Sequence, residues 1–148
     1  MSSEPSISVI IPIYNAADYV EEAIISIYAQ KLSNMELIVV DDGSTDNLIS
    51  VLNSIGHDFT YYRQEHQGPA VARNHGIEKS RGDIFAFLDA DDFWDKEKMA
   101  RQIPHLSTDS EYDIVIGQIQ CVKKDAVCNI LTPKNKLWEP WVSYSFGS

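Results

Sequence analysis

Residues 35–46 read MELIVVDDGSTD. The first half, MELIVV, is rich in apolar and β-branched residues with little alternation, the pattern of a strand buried on both faces. It runs straight into DDGSTD, where Gly43 permits a tight turn and Ser44 or Thr45 can cap a following helix. Leu48, Val51, Leu52 and Ile55 then keep helical spacing until Gly56 stops the run. A buried strand, a polar turn and an amphipathic helix in succession make half of a βαβ unit.

The chain on either side repeats this order. Residues 6–14 (SISVIIPIY) are apolar on both parities and predict another buried strand. Asn15 and Asp18, three apart, predict an N-cap and its acidic partner, and Val20, Ala23, Ile24, Ile27 and Tyr28 predict a helix to about Gln30. Downstream, FTYYR (59–63) predicts a third strand, and Gly68-Pro69 opens a helix with proline at its first position, ending near Ser80–Gly82. IFAFL (84–88) predicts a fourth strand running into DADD. A helix over about 96–106 and a strand over 113–119 follow. The order βαβαβαβ with long helical connections predicts an α/β fold, a Rossmann-like, mostly parallel sheet with helices on both faces. Ligands of such sheets bind beyond the carboxyl ends of the strands. Here those ends are IPIYN, VVDDGSTD and FLDADD.

The 148 residues, 44% hydrophobic, are enough for one core and exclude a disordered chain. Twelve Lys+Arg against 22 Asp+Glu, a formal charge of −10, argue against a nucleic-acid groove and against adsorption to an anionic membrane. No run approaches the roughly 20 apolar residues that span a bilayer, and the first apolar stretch lacks the basic flank of a secretory signal. Cys121 and Cys128 have no companions at zinc-ligand spacing and read as reduced thiols of a cytoplasmic protein.

Three strand ends carry the chemistry. Asp89 and Asp91 stand two apart after the fourth strand, where an extended backbone would aim both carboxylates the same way. Two adjacent carboxylates repel unless a cation lies between them, and oxygen ligands with few protein groups suit Mg²⁺ or Mn²⁺. The alternative is a solvated acidic turn in which Asp92 or Asp95 caps the next helix. Asp41 and Asp42 could accept hydrogen bonds from a nucleobase or from ribose hydroxyls. An EF-hand is a poor fit, because Asn47 stands where that loop needs glycine. Tyr14 offers a face for stacking a base, and Pro12 stiffens the strand end. Arg73, near the start of the third helix, favours an anion. Gly76 inside that helix implies close packing or ligand approach. The four histidines form no triad.

Together the segments VIIPIYNAADYVEEAIISI, ELIVVDDGSTD, GPAVARNHGIEKSRGD and FLDADD closely resemble the nucleotide-binding half of family 2 glycosyltransferases, which have the GT-A fold. The resemblance covers about residues 6–106. It implies that Pro12 and Tyr14 line a base pocket, that Asp42 binds the base, usually uracil, and that Arg73 lies beside the nucleotide. It implies that Asp89 and Asp91 form a DxD motif, with Asp91 the direct metal ligand and Asp89 nearer the ribose and metal-bound waters. The implied cofactor is Mn²⁺ or Mg²⁺, the donor a UDP-sugar, and the reaction an inverting hexosyl transfer to a glycan, lipid-linked or protein acceptor.

The family's general base lies well downstream of the DxD, and neither Asp125 nor Glu139 sits in a matching motif. The expectation is therefore a polar lead (1–5), a nucleotide-sugar-binding domain (6–122) and an irregular aromatic tail (123–148). That chain would be truncated on its acceptor side, with transfer weak or absent. The tail, with Trp138 and Trp141, offers a surface for self-association. The expected location is cytoplasmic or peripheral to the inner face of a membrane. The competing reading is a non-enzymatic module that binds a nucleotide or a partner. A haloacid-dehalogenase-type phosphatase also places DxD after a strand, but after the first strand and with Thr or Val where this chain has Phe93.

Overall fold

The computed structural model of the protein describes residues 5–106, 112–123, 126–131 and 142–146. The first described strand, β1 (Ile7–Ile13), is buried at every position. It lies at the centre of a parallel sheet, between β2 (Met35–Asp41) and β4 (Ile84–Phe87), with β3 (Thr60–Arg63) outside β2. The strand order is β3-β2-β1-β4. Burying each of its Ile and Val side chains contributes roughly 1.5–3 kcal/mol.

Helices cover both faces. Ile7, Val9, Ile11 and Ile13 pack on one side with Val20, Ala23, Ile24 and Ile27 of α1 (Val20–Tyr28) and with Leu48 and Leu52 of α2 (Leu48–Ser54). Ile10, Ile38 and Val40 point to the other side and meet Ala72 and Ile77 of α3 (Pro69–Lys79). Gly76 of α3 has its explanation here. A Cβ at that position would overlap the γ-methyl of Ile10, so glycine lets α3 lie close on β1. Proline at the start of α3 and a φ of +95° at Gly68 agree with the sequence reading of that boundary.

Three expectations fail locally. Asn15 and Asp18 do not cap α1, whose N-cap is Tyr19 with no side-chain bond. Asn15 instead adopts φ +50° and joins the first two strand ends, accepting the Thr45 amide at 2.8 Å and donating its own amide to the Ser44 hydroxyl at 3.0 Å. Ser44 and Thr45 likewise do not cap α2. The N-cap is Asn47, with no side-chain bond, and Asp46 before it accepts the Leu48 amide at 3.2 Å through one oxygen and the Ala17 amide at 2.9 Å through the other.

The third difference is larger. The parallel sheet ends at β4, and the strand predicted over 113–119 starts only at Gln118. From Asp92 onward the chain builds a second, mixed sheet of β5 (Asp92–Trp94), β6 (Gln118–Lys123), β7 (Ala126–Leu131) and β8 (Val142–Phe146), in the order β5-β8-β6-β7. Ile114 and Ile116 are exposed, so their alternation does not mark a buried strand face. The helix predicted over 96–106 divides into α4 (Lys98–Gln102) and a 3₁₀ turn (Ile103–Leu106). The side chains of Cys121 and Cys128, and residues Asp125, Trp138, Glu139 and Trp141, lie outside the described residues, as does most of the polar lead. Among the described residues no helix is long and apolar enough to cross a membrane.

Candidate functional site

The strand order places successive strands to one side of β1 and then returns across it to β4. The topological switch point therefore lies between the carboxyl ends of β1 and β4, where a sheet of this kind leaves a crevice. A cavity of about 300 Å³ opens there, lined by Pro12, Tyr14, Asn15, Pro69, Arg73, Asp89 and Asp91 among others. Five of the six residues singled out in the sequence are brought together in it. A second cavity of about 800 Å³ adjoins it, walled by the outer edge of β4, Asp92, Trp94, Lys98 and residues 112–117. Arg73 and Asp89 line both.

Asp89 and Asp91 do not sit on an extended strand end as expected. The Asp92 amide donates to the Asp89 carbonyl at 3.0 Å, closing a turn. That turn directs Asp91 into the smaller cavity and Asp92 into the larger, with Asp89 on the boundary. The Arg73 guanidinium donates to Asp89. Burial first, and then the nearby Asp91 and Asp89 carboxylates, push the Asp92 carboxyl up to about 7. Asp89 and Asp91, with Arg73 beside them, line the smaller cavity and offer oxygen donors to a hard cation. No group of three His, Cys, Asp or Glu side chains among the described residues could cage a metal. The site thus fits Mg²⁺ or Mn²⁺ held by one or two carboxylates and completed by water and phosphate oxygens.

Asp42 is the sixth predicted residue, and it does not line the cavity. It is 2% exposed and saturated from within the chain. One carboxylate oxygen accepts Gln64 Nε2 at 2.7 Å and the Gln67 amide at 2.9 Å; the other accepts the Gly68 amide at 2.8 Å and lies 2.9 Å from His66 Nδ1. Burial alone would raise its pKa, but the Gln67, Gln64 and Gly68 donors outweigh it and hold the carboxyl below its ordinary value. A base N–H that reaches Asp42 must displace one of these donors.

Asp41 is fully buried and accepts the Ser44 amide and the Tyr61 hydroxyl, each at 2.7 Å, together with the Arg63 guanidinium. Adjacent acids therefore end β2 for two reasons. Asp41 locks the β2–α2 turn to β3, and Asp42 locks the loop that leads into α3.

The sequence reading, which finds no triad among the four histidines, misses His66. Its ring stacks on Tyr14 at 4.0 Å between centroids and 26° between planes. The signal was its place two residues before Gly68-Pro69, in the loop that Asp42 gathers.

In the larger cavity Lys98 Nζ donates to Gln102 Oε1 at 2.6 Å and sits 5.5 Å from the centre of the Trp94 ring; burial lowers its pKa to about 8.

The sequence profile of glycosyl transferase family 2 matches residues 8–142. The chain belongs to this family. It is similar to an uncharacterized glycosyltransferase of Haemophilus influenzae, with 44% identity over 67% of this chain and 41% of that one. Among solved structures it is similar to the mannosyltransferase PcManGT of Pyrobaculum calidifontis in complex with GDP-Man and Mn²⁺, at 30% identity and a TM-score of 0.64, covering 83% of this chain and 37% of that one. It is also similar to S. aureus TarS in complex with UDP, at 28% identity and a TM-score of 0.62, over 68% of this chain and 32% of that one. The fold is of the GT-A type. The family 2 chain described here spans about two fifths of the length of its Haemophilus relative.

Proposed function

We propose that this domain binds a nucleoside-diphosphate sugar, with uridine as the nucleoside, for inverting transfer of a hexose to an acceptor hydroxyl. The observation that carries the proposal is the convergence of Pro12, Tyr14, Arg73, Asp89 and Asp91 on one cavity at the switch point of the sheet. The solved relatives in complex with UDP, and with GDP-Man and Mn²⁺, support a nucleotide donor and a divalent cation.

In this reading Tyr14 stacks on the base and Pro12 fixes the rim of its pocket. Asp91 and Asp89 would hold Mn²⁺ or Mg²⁺, which would supply positive charge to offset that of a departing diphosphate. Arg73 contributes a guanidinium to the same diphosphate. Asp42 serves the base indirectly, by fixing the loop that carries His66 and the start of α3. The larger cavity, which meets the smaller at Asp89, receives the sugar and the acceptor hydroxyl. We assign no residue of this chain as general base, and residues 6–122 form the donor-binding portion.

Calorimetric titration with UDP, with and without Mn²⁺, tests the proposal. Binding should weaken strongly without Mn²⁺ and in Asp91→Asn. Equal affinity in EDTA would overturn the metal assignment.

A further inference from the structure

Arg73 and Asp89 form the common wall of the two cavities, because both residues line both spaces and are bonded to each other. Neither is buried, with side chains 33% and 51% exposed, so the pair can open without exposing core. Two further carboxylates, Asp91 and Asp92, line the cavities on either side of it. Asp91 and Asp92 make no ion pair among the described residues. The guanidinium leaves Asp89 only for a better anion. A divalent ion approaching Asp89 meets that fixed positive charge. A diphosphate in the smaller cavity offers the planar guanidinium two oxygens for a bidentate pair instead.

We propose that Arg73 is the internal counter-cation of Asp89, exchanged for a divalent metal only when a diphosphate takes the arginine, so that metal and diphosphate bind with positive coupling through this one side chain. The proposal rests on the donor-site reading above and deepens it. Each cation ends beside an anion: the metal replaces Arg73 at Asp89, and Arg73 moves to the phosphate. Coupling of this kind is reciprocal, so the metal must strengthen diphosphate binding by the factor by which the diphosphate strengthens metal binding. Opening the pair also joins the two cavities, which places the far end of a diphosphate at the mouth of the larger one.

The arrangement makes an unusual demand of Asp89→Asn. That substitution removes a metal ligand, yet it frees Arg73. In EDTA it should bind UDP more tightly than the wild type does in EDTA, by roughly three- to tenfold. The double variant Arg73→Gln/Asp89→Asn should lose that gain. In the other direction, Arg73→Gln should bind Mn²⁺ alone roughly three- to tenfold more tightly than the wild type, read from the electron paramagnetic resonance signal of free Mn²⁺. Both residues are partly exposed, and unchanged circular dichroism and melting midpoints establish that the variants fold.

Two results overturn the inference. One is an unchanged or weaker Mn²⁺ affinity in Arg73→Gln. The other is a metal-free UDP gain in Asp89→Asn that survives removal of Arg73, which would assign the gain to lost repulsion alone. Failure of the underlying reading looks different, since wild-type UDP affinity would then be the same in Mn²⁺ and in EDTA.

Discussion

The Asp42 carboxylate accepts the backbone amide of Gly68 at 2.8 Å, and this bond ties the end of β2 to the start of α3. Arg73 stands on the first turns of that helix, so an acid outside the cavity sets the position of a cation inside it. Asp42→Ala leaves the Gln67 and Gly68 amides without their acceptor. The expected cost is about 1.5–3 kcal/mol of stability, the range for hydrogen bonds to a charged group. UDP affinity should fall as well, because α3 loses its anchor. Asp42→Asn keeps one acceptor oxygen and should cost less on both counts. Urea denaturation and UDP titration of the two variants check the order.

Acid should weaken the fold through the same strand end. Burial works to raise the pKa of Asp41, yet the Ser44 hydroxyl, the Tyr61 hydroxyl, the Ser44 amide and the Arg63 guanidinium together leave it lowered. Asp42 is lowered too. A carboxylate whose pKa is lowered by folding gives stability that is complete above the ordinary aspartate value of about 3.9 and is lost as the pH falls toward the folded value. Urea midpoints should therefore drop as the pH falls below about 4. Tyr61→Phe should lower stability at pH 7 by about 1.5–3 kcal/mol and make the acid loss shallower.

The sheet was legible because buried parallel strands need continuous apolar runs, and β1 and β2 have them; β4 has an apolar run too, but leaves Phe85 and Phe87 exposed on the wall of the larger cavity. The cavity was legible for the same reason, since strand ends fix where side chains can converge. What the sequence hid is what long-range pairing decides. Nothing local in DDFWD marks Asp92–Trp94 as the strand that pairs with Val142–Phe146. Asn15 and Asp18 have capping-box spacing, but Asn15 makes stronger use of its side chain by joining the ends of β1 and β2. The type and place of Asp42 were legible, but its partners were not, because Gln64, His66, Gln67 and Gly68 lie far along the chain.

Gly76→Ala tests the packing of the layer that carries Arg73. The added methyl would overlap Ile10, a branched side chain that is 0% exposed at the centre of the sheet and cannot swing away. Overpacking of this kind costs about 1–3 kcal/mol, which outweighs the helix-propensity gain of roughly 1 kcal/mol. The variant should melt earlier in a thermal scan and bind UDP more weakly. A melting point equal to or above the wild type would mean that α3 does not lie this close to β1.

Tyr14 carries the last expectation. Its ring is 48% exposed, and His66 covers one face at a centroid distance of 4.0 Å, which leaves the other face for a base. Stacking of a base on an aromatic ring is worth roughly 1–3 kcal/mol by alanine substitution. Tyr14→Ala should accordingly weaken UDP binding by about 5- to 150-fold in the presence of Mn²⁺. Tyr14→Phe, which keeps the ring, should bind like the wild type. His66→Ala removes the ring behind Tyr14 and should weaken binding by less than Tyr14→Ala does. If His66→Ala instead binds UDP more tightly, the histidine occupies the place of the base, and the base enters between the two side chains. Calorimetric titration of the three variants separates these arrangements, since the sign of the His66→Ala effect differs between them.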